Sequence, residues 1–120
     1  MSKLLEDFKA FQADKSDLLA AYGNDLLNAK SDHVVIAYTT DVITAIKKFQ
    51  SGEITMQILV DWVNAIWFYT DLFDYCENQC ESIASVMECL EALDEDGVAY
   101  TDEEYDRMIA ALESNTEFTR

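Results

Sequence analysis

Proline is absent from this chain of 120 residues, and glycine occurs at only three positions, Gly23, Gly52 and Gly97. Helix breakers are therefore few, and each sits where a periodic segment should end. Cations are missing over a long interval: no lysine or arginine lies between Lys48 and Arg107, although that stretch carries most of the acids. No run of about 18 or more uncharged apolar residues occurs, which excludes an ordinary membrane-spanning helix. The N-terminus, Met1 to Asp7, places acids where a signal peptide has its apolar stretch, so a cytoplasmic location is expected.

Catalytic signatures are scarce as well. The single histidine, His33, has no cysteine or serine context suggesting a nucleophile, and reads as a surface residue or dipole partner. No phosphate-cradling glycine loop and no pair of histidines at metalloprotease spacing occurs. Carboxylates are abundant, but general acid–base work needs one of them desolvated, and no spacing singles out such a pair. The expectation is a protein that is not an enzyme and uses no cofactor. A small acidic enzyme or ligand-binding bundle is the lesser alternative. Cys76, Cys80 and Cys89 cannot all pair within one chain, and without a secretion signal they are expected to be reduced thiols buried as small hydrophobes. Metal binding is not expected, because a closed zinc site needs four ligands and His33 is remote.

What is present is an uneven distribution of charge. Residues 1–50 hold 6 lysines and 7 acids, a net of −1, and residues 51–120 hold 2 arginines and 17 acids, a net of −15, which together give −16. Like charges repel and destabilise the compact state, so an acidic half of this kind points to a use other than stability. Half of the residues are hydrophobic, which excludes a disordered acidic tail.

The length suits one domain. Apolar spacing predicts an all-α fold, a single-domain bundle of about five helices over residues 1–115, with a frayed tail at 116–120. Leu4, Leu5, Phe8 and Phe11 begin the pattern, and Leu18, Leu19, Tyr22, Leu26 and Leu27 continue it beyond a polar interval, as one long helix or two short ones. Ser31 or Asp32 can cap the next helix, where Val35, Tyr38, Val42, Ala45, Ile46 and Phe49 line one face before Gly52. Val34-Val35-Ile36 alone suits a strand, but nothing nearby in sequence pairs with it.

Thr55 is the expected N-cap of a third helix, with Ile54 and Leu59 at the staple positions. Its residues Leu59, Trp62, Val63, Ile66 and Trp67, followed by Phe68 and Tyr69, make it the most buried element and, secondarily, a candidate homodimer interface. An exposed indole beside the acids would be a natural interface anchor. A fourth helix carries Cys76, Cys80, Ile83, Met87, Leu90 and Leu93. The last begins at a capping box, Thr101 with Glu104, with Tyr100 and Tyr105 at the staple positions.

On the fourth helix, Asp74, Glu77, Glu81, Glu88, Glu91 and Glu95 fall within one sector about 100° wide, opposite the apolar face. Like-charged neighbours such as Glu77/Glu81 and Glu91/Glu95 cost about 0.2–0.5 kcal/mol each on a helix, where an ordinary solvated face would interleave lysine. The expected partner-binding surface is this ridge extended by Asp96, Asp102 and Glu103. Acids in a helix's first turn also complement its dipole. The alternative is a plain solubility face.

The segments Gly52-Glu53-Ile54-Thr55, Asp61-Trp62-Val63-Asn64, Leu90-Glu91-Ala92-Leu93 and Tyr100-Thr101 together resemble small acidic helical immunity proteins, which neutralise bacterial toxins of the colicin-like and contact-dependent inhibition kinds. The likeness spans roughly residues 43–112. It implies a stoichiometric inhibitor whose acidic helical surface docks on a basic partner, a nuclease or nuclease toxin, and competes for charges that otherwise bind phosphates. Opposite fields also speed the encounter. The runner-up is a phage-encoded inhibitor, anti-CRISPR or anti-restriction, in which the ridge imitates nucleic-acid phosphates. Direct binding to nucleic acid is not expected at a net charge of −16.

Overall fold

The computed structural model describes residues 2–31, 33–95 and 97–119. Among the described residues, six helices and two short strands follow one another: α1 (Ser2–Lys9), α2 (Lys15–Tyr22), β1 (Val35–Ala37), α3 (Thr39–Gln50), α4 (Met56–Phe68), β2 (Phe73–Tyr75), α5 (Cys80–Glu91) and α6 (Asp102–Glu113). Short 3-10 turns occur at Leu26–Asn28, Glu77–Gln79 and Ala92–Asp94. The molecule is mostly helical, but it is not the five-helix all-α bundle expected from periodicity.

The first helical stretch is two helices because Asp14 starts a new one. Its Oδ1 accepts from the backbone N of Asp17 at 3.1 Å, and Asp17 Oδ2 accepts in return from the N of Asp14 at 2.9 Å. This reciprocal pairing satisfies donors that an uninterrupted helix would bond internally.

The strand that Val34-Val35-Ile36 suited, set aside for want of a nearby partner, is present as β1. Its partner lies across two helices: Val35, Ile36 and Ala37 pair in parallel with Phe73, Asp74 and Tyr75. Leu72 O accepts from Val35 N, and Ala37 O from Cys76 N, each at 2.9 Å. Parallel neighbours need a crossover connection, and α3 and α4 supply it. The third helix accordingly starts at Thr39 rather than near residue 31. Ser31 Oγ donates to His33 O instead of capping, and Asp32 lies outside the described residues. Asp41 Oδ2 accepts from Tyr38 N at 2.8 Å, and Gln79 Oε1 accepts from Thr39 N at 3.0 Å, so the start of α3 is held by both its own residue and the segment after β2.

Gly52 ends the connection after α3 with φ +81, a left-handed conformation that glycine adopts without a Cβ clash. Thr55 then caps α4 as expected, its Oγ1 accepting from Ile58 N at 3.2 Å, and Ile54 and Leu59 are both buried. Helix α4 packs against α1, α3, α5 and β2. Leu59, Trp62, Val63 and Ile66 are at most 1% exposed, and burial of each such side chain contributes roughly 1.5–3 kcal/mol. Phe68, by contrast, is 43% exposed and lies off the core. Helix α6 packs against α3 and α5 and begins at the expected box, Thr101 Oγ1 accepting from Glu104 N at 3.1 Å. The staple is present, Tyr100 and Tyr105 meeting edge to face at 5.8 Å.

The end of the chain departs from the fraying expected of it. Phe118 is 7% exposed, and its backbone N donates to Ser85 Oγ at 2.8 Å. An aromatic ring at Phe118 carries enough apolar area to dock the segment. Cys80 is exposed, and Cys76 and Cys89 are half-buried, so none is the fully buried small hydrophobe expected. Among the described residues no helix is long and apolar enough to cross a membrane.

Candidate functional site: the acidic face

The nine acids expected to form one surface come from several elements. Asp74 is in β2, Glu77 in the 3-10 turn after it, Glu81, Glu88 and Glu91 on α5, Glu95 just beyond the turn that follows, and Asp102 and Glu103 in the first turn of α6. Asp96 lies outside the described residues. The ridge expected along one helix therefore does not exist as a single helical feature. Strand pairing at 73–75 and the 3-10 turn reset the phase before α5 begins, and a second 3-10 turn resets it after Glu91.

The part of the ridge within α5 survives. Glu81 and Glu88 are two turns apart, about 10 Å along the axis, and lie opposite Ile83, Val86, Met87 and Leu90. Both are exposed, whereas Glu91 is half-buried. The penalty expected for Glu77/Glu81 and Glu91/Glu95 as helix neighbours does not apply, since neither pair shares an α-helix.

Among the described residues, none of these eight carboxylates has an ion-pair partner. Every ion pair among the described residues is made by Lys3, Lys9 or Lys48, with Asp7, Glu6, Asp41 and Glu53. Arg107, the only cation between Lys48 and Arg120, is turned to the tail. Its Nη2 donates to Thr119 O at 2.9 Å, and its guanidinium lies 5.5 Å from the ring centre of Phe118.

The fold adds an acid that spacing did not suggest. Glu77, Glu81 and Glu117 line one cleft of about 350 Å³, together with Asn78, Ser82 and Asn115. Asn115 builds it: its Nδ2 donates to Asn78 O and its Oδ1 accepts from Ser82 Oγ, each at 2.8 Å. With φ +52, a left-handed conformation to which asparagine is suited, Asn115 turns the chain back toward α5 and brings Glu117 beside Glu81. Among the described residues no three of His, Cys, Asp and Glu converge at metal-binding distance.

Neither tryptophan is the exposed indole that the interface argument asks for. Trp62 is buried, its Nε1 donating to Lys9 O at 3.0 Å. Trp67 is half-buried, packing at 6.1 Å on Tyr75 and edge to face on Phe68 at 6.5 Å. Tyr75 adjoins Asp74 in β2, so a partly exposed aromatic group borders the acids. The Tyr75 hydroxyl is buried with no hydrogen-bond partner among the described residues, and burial raises its pKa far above the ordinary phenol value, with Asp74 adding to the shift.

The quoted immunity-like segments occupy the turn and cap before α4, the middle of α4, the end of α5 and the cap of α6. Protein-family models, curated proteins and solved structures give no significant match to this chain, so the immunity-protein likeness rests on those segments alone.

Proposed function

We propose that this protein is a stoichiometric inhibitor acting in the cytoplasm, with no chemistry of its own. Its acidic face docks on a basic nucleic-acid-binding partner, a nuclease or nuclease toxin, in the manner of an immunity protein. The observation that supports the reading is that, among the described residues, Asp74, Glu77, Glu81, Glu88, Glu91, Glu95, Asp102 and Glu103 make no ion pair. A face kept for solubility alone gains from local cations at helical spacing, which relieve repulsion without loss of hydration. Uncompensated carboxylates suit a partner that brings its own cations. The Trp67, Phe68 and Tyr75 group beside Asp74 supplies the apolar anchor that charge alone lacks, since interface energy concentrates in aromatic residues.

The test is capture from a lysate of the source cell on the immobilised protein, washed at low and at high salt, beside the double variant Glu81→Lys, Glu88→Lys. The expected result is a basic nuclease or toxin that is released by salt, that the variant fails to retain, and whose nuclease activity the purified protein suppresses at equimolar ratio. Equal retention by the variant, or only neutral partners, would reject the reading. Retention of a defence nuclease instead of a toxin would favour the phage-inhibitor alternative.

A further inference from the structure

Away from the acidic face, a cleft of about 380 Å³ opens where the end of α1, the start of α2 and the first turns of α4 meet. None of its lining residues belongs to α5, α6 or the tail. Its floor is apolar. Phe8 and Trp62 are buried beneath it, and Phe11 stacks on Trp62 at 5.3 Å with the ring planes 19° apart. Ile54 and Ile58 close one side, and Ile58 is 42% exposed.

Phe11 reaches its place at a conformational cost. Its φ is +63, a left-handed conformation unfavourable for a bulky residue, and it lies two residues past the end of α1. In that conformation the ring lies half-buried over Trp62, and the stacking offsets part of the cost.

Acids surround this floor. Asp14, Asp17, Glu53 and Asp61 line the cleft against one cation, Lys15, so the lining carries four negative charges and one positive, a net of −3. Each of the four carboxylates makes a local bond: Asp14 and Asp17 to each other's backbone, Asp61 to Gln57 Nε2 at 2.9 Å, and Glu53 to Lys48. Those bonds fix the carboxylates in position, and a carboxylate has about four acceptor sites, so capacity remains for an incoming donor.

We propose that this cleft is a second docking site, for a short basic and apolar peptide segment of a protein partner. The partner's arginine lies on the half-buried Phe11 ring, with Trp62 buried beneath it, forked toward Asp61 and Asp17, while a neighbouring aliphatic side chain covers Ile58. An arginine guanidinium stacks on aromatic faces and pairs with carboxylates in a fixed geometry, and this cleft offers both partners at once. The occupant is a peptide rather than a small organic cation because small-ligand sites enclose most of their ligand. Here Ile58 extends the apolar surface outward. The site stands independently of the acidic face on α5 and α6.

The test uses the full chain and a synthetic helical peptide of roughly twelve residues with arginine and leucine on one face, acetylated and amidated. Binding is followed by calorimetry and by the amide and indole signals in nitrogen-15 spectra. The expected result is binding that shifts the Trp62 indole signal and weakens about tenfold or more in Ile58→Lys, Asp61→Lys. In Glu81→Lys, Glu88→Lys it should change less than about twofold. Ile58 is exposed and Asp61 partly so, and unaltered spectra elsewhere in the double variant establish that it is folded. No shift at Trp62, equal loss in the α5 variant, or equally tight binding of ethylguanidinium alone would overturn the proposal. So would a homodimer in sedimentation that buries the cleft.

Discussion

Lys9 and Asp41 meet at 3.3 Å with the lysine side chain only 12% exposed, joining the end of α1 to the first turn of α3. The same ammonium donates to Ile36 O at 2.9 Å and lies 5.5 Å from the Tyr38 ring centre. One cation thus holds a helix, a strand and a helix start. Replacing Lys9 with Met keeps the stem's packing and removes the charge, and should cost about 1–3 kcal/mol. Urea unfolding checks this: the midpoint should fall with the slope unchanged.

The docked tail gives an equally direct expectation. Phe118→Ala removes a ring that packs beside α6 and lies under Arg107, and should destabilise by roughly 2–3 kcal/mol, somewhat less than full core truncation. A frayed tail would leave the melting temperature where it was.

Thr101→Ala tests the cap of α6. Loss of the bond to Glu104 N should cost about 1 kcal/mol in the same urea assay, and Thr101→Ser should restore most of it.

Burial pushes the Tyr105 hydroxyl up to about 12, with Tyr100, Asp102 and Glu104 adding to the shift. A pKa raised in the folded state means that the neutral form is favoured by folding. The contribution is fully present below the ordinary phenol value of 10.0 and is lost as pH rises toward 12. Tyrosine absorbance titrated upward should therefore lag for Tyr105, and further for Tyr75, and stability should fall across that window. At the acid end, hydrogen bonds led by that from Ser16 Oγ hold Asp14 below the usual carboxylate range. Its contribution to capping α2 persists above the ordinary carboxylate pKa and disappears as pH falls through the lowered value.

Repulsion within a chain of net charge −16 should be visible in the salt dependence of stability. The melting temperature should rise as salt increases from roughly 0.01 M to 1 M, because the screening length shrinks from about 30 Å to 3 Å. Glu81→Lys, Glu88→Lys should flatten that rise without lowering stability at low salt.

The capped starts at Thr55 and Thr101, the stop at Gly52 and the central burial of α4 were legible in the chain because each rests on residues within one turn of one another. The strand pairing was not. Val35 meets Phe73 across two intervening helices, and a local pattern carries no information about a partner that distant. The misreading propagated, since treating 74–95 as one helix put Asp74 and Glu77 in phase with Glu81. The alignment that the structure keeps is the one whose period is local, Glu81 with Glu88 on α5. The cleft at Glu117 and the docking of Phe118 depend on a single left-handed residue, Asn115, whose role shows only when α5 and α6 are packed together.

The parallel pairing of β1 with β2 also orders events in time. Neither strand gains a bond from the other until the segment 38–72 has closed into a loop, and closing it costs chain entropy that only folded α3 and α4 repay. The amides of Val35 and Cys76, which donate across that junction, should therefore become protected late in refolding and exchange early under mild denaturant. Two backbone protons would then serve as a clock for the whole helical framework, read without any partner present.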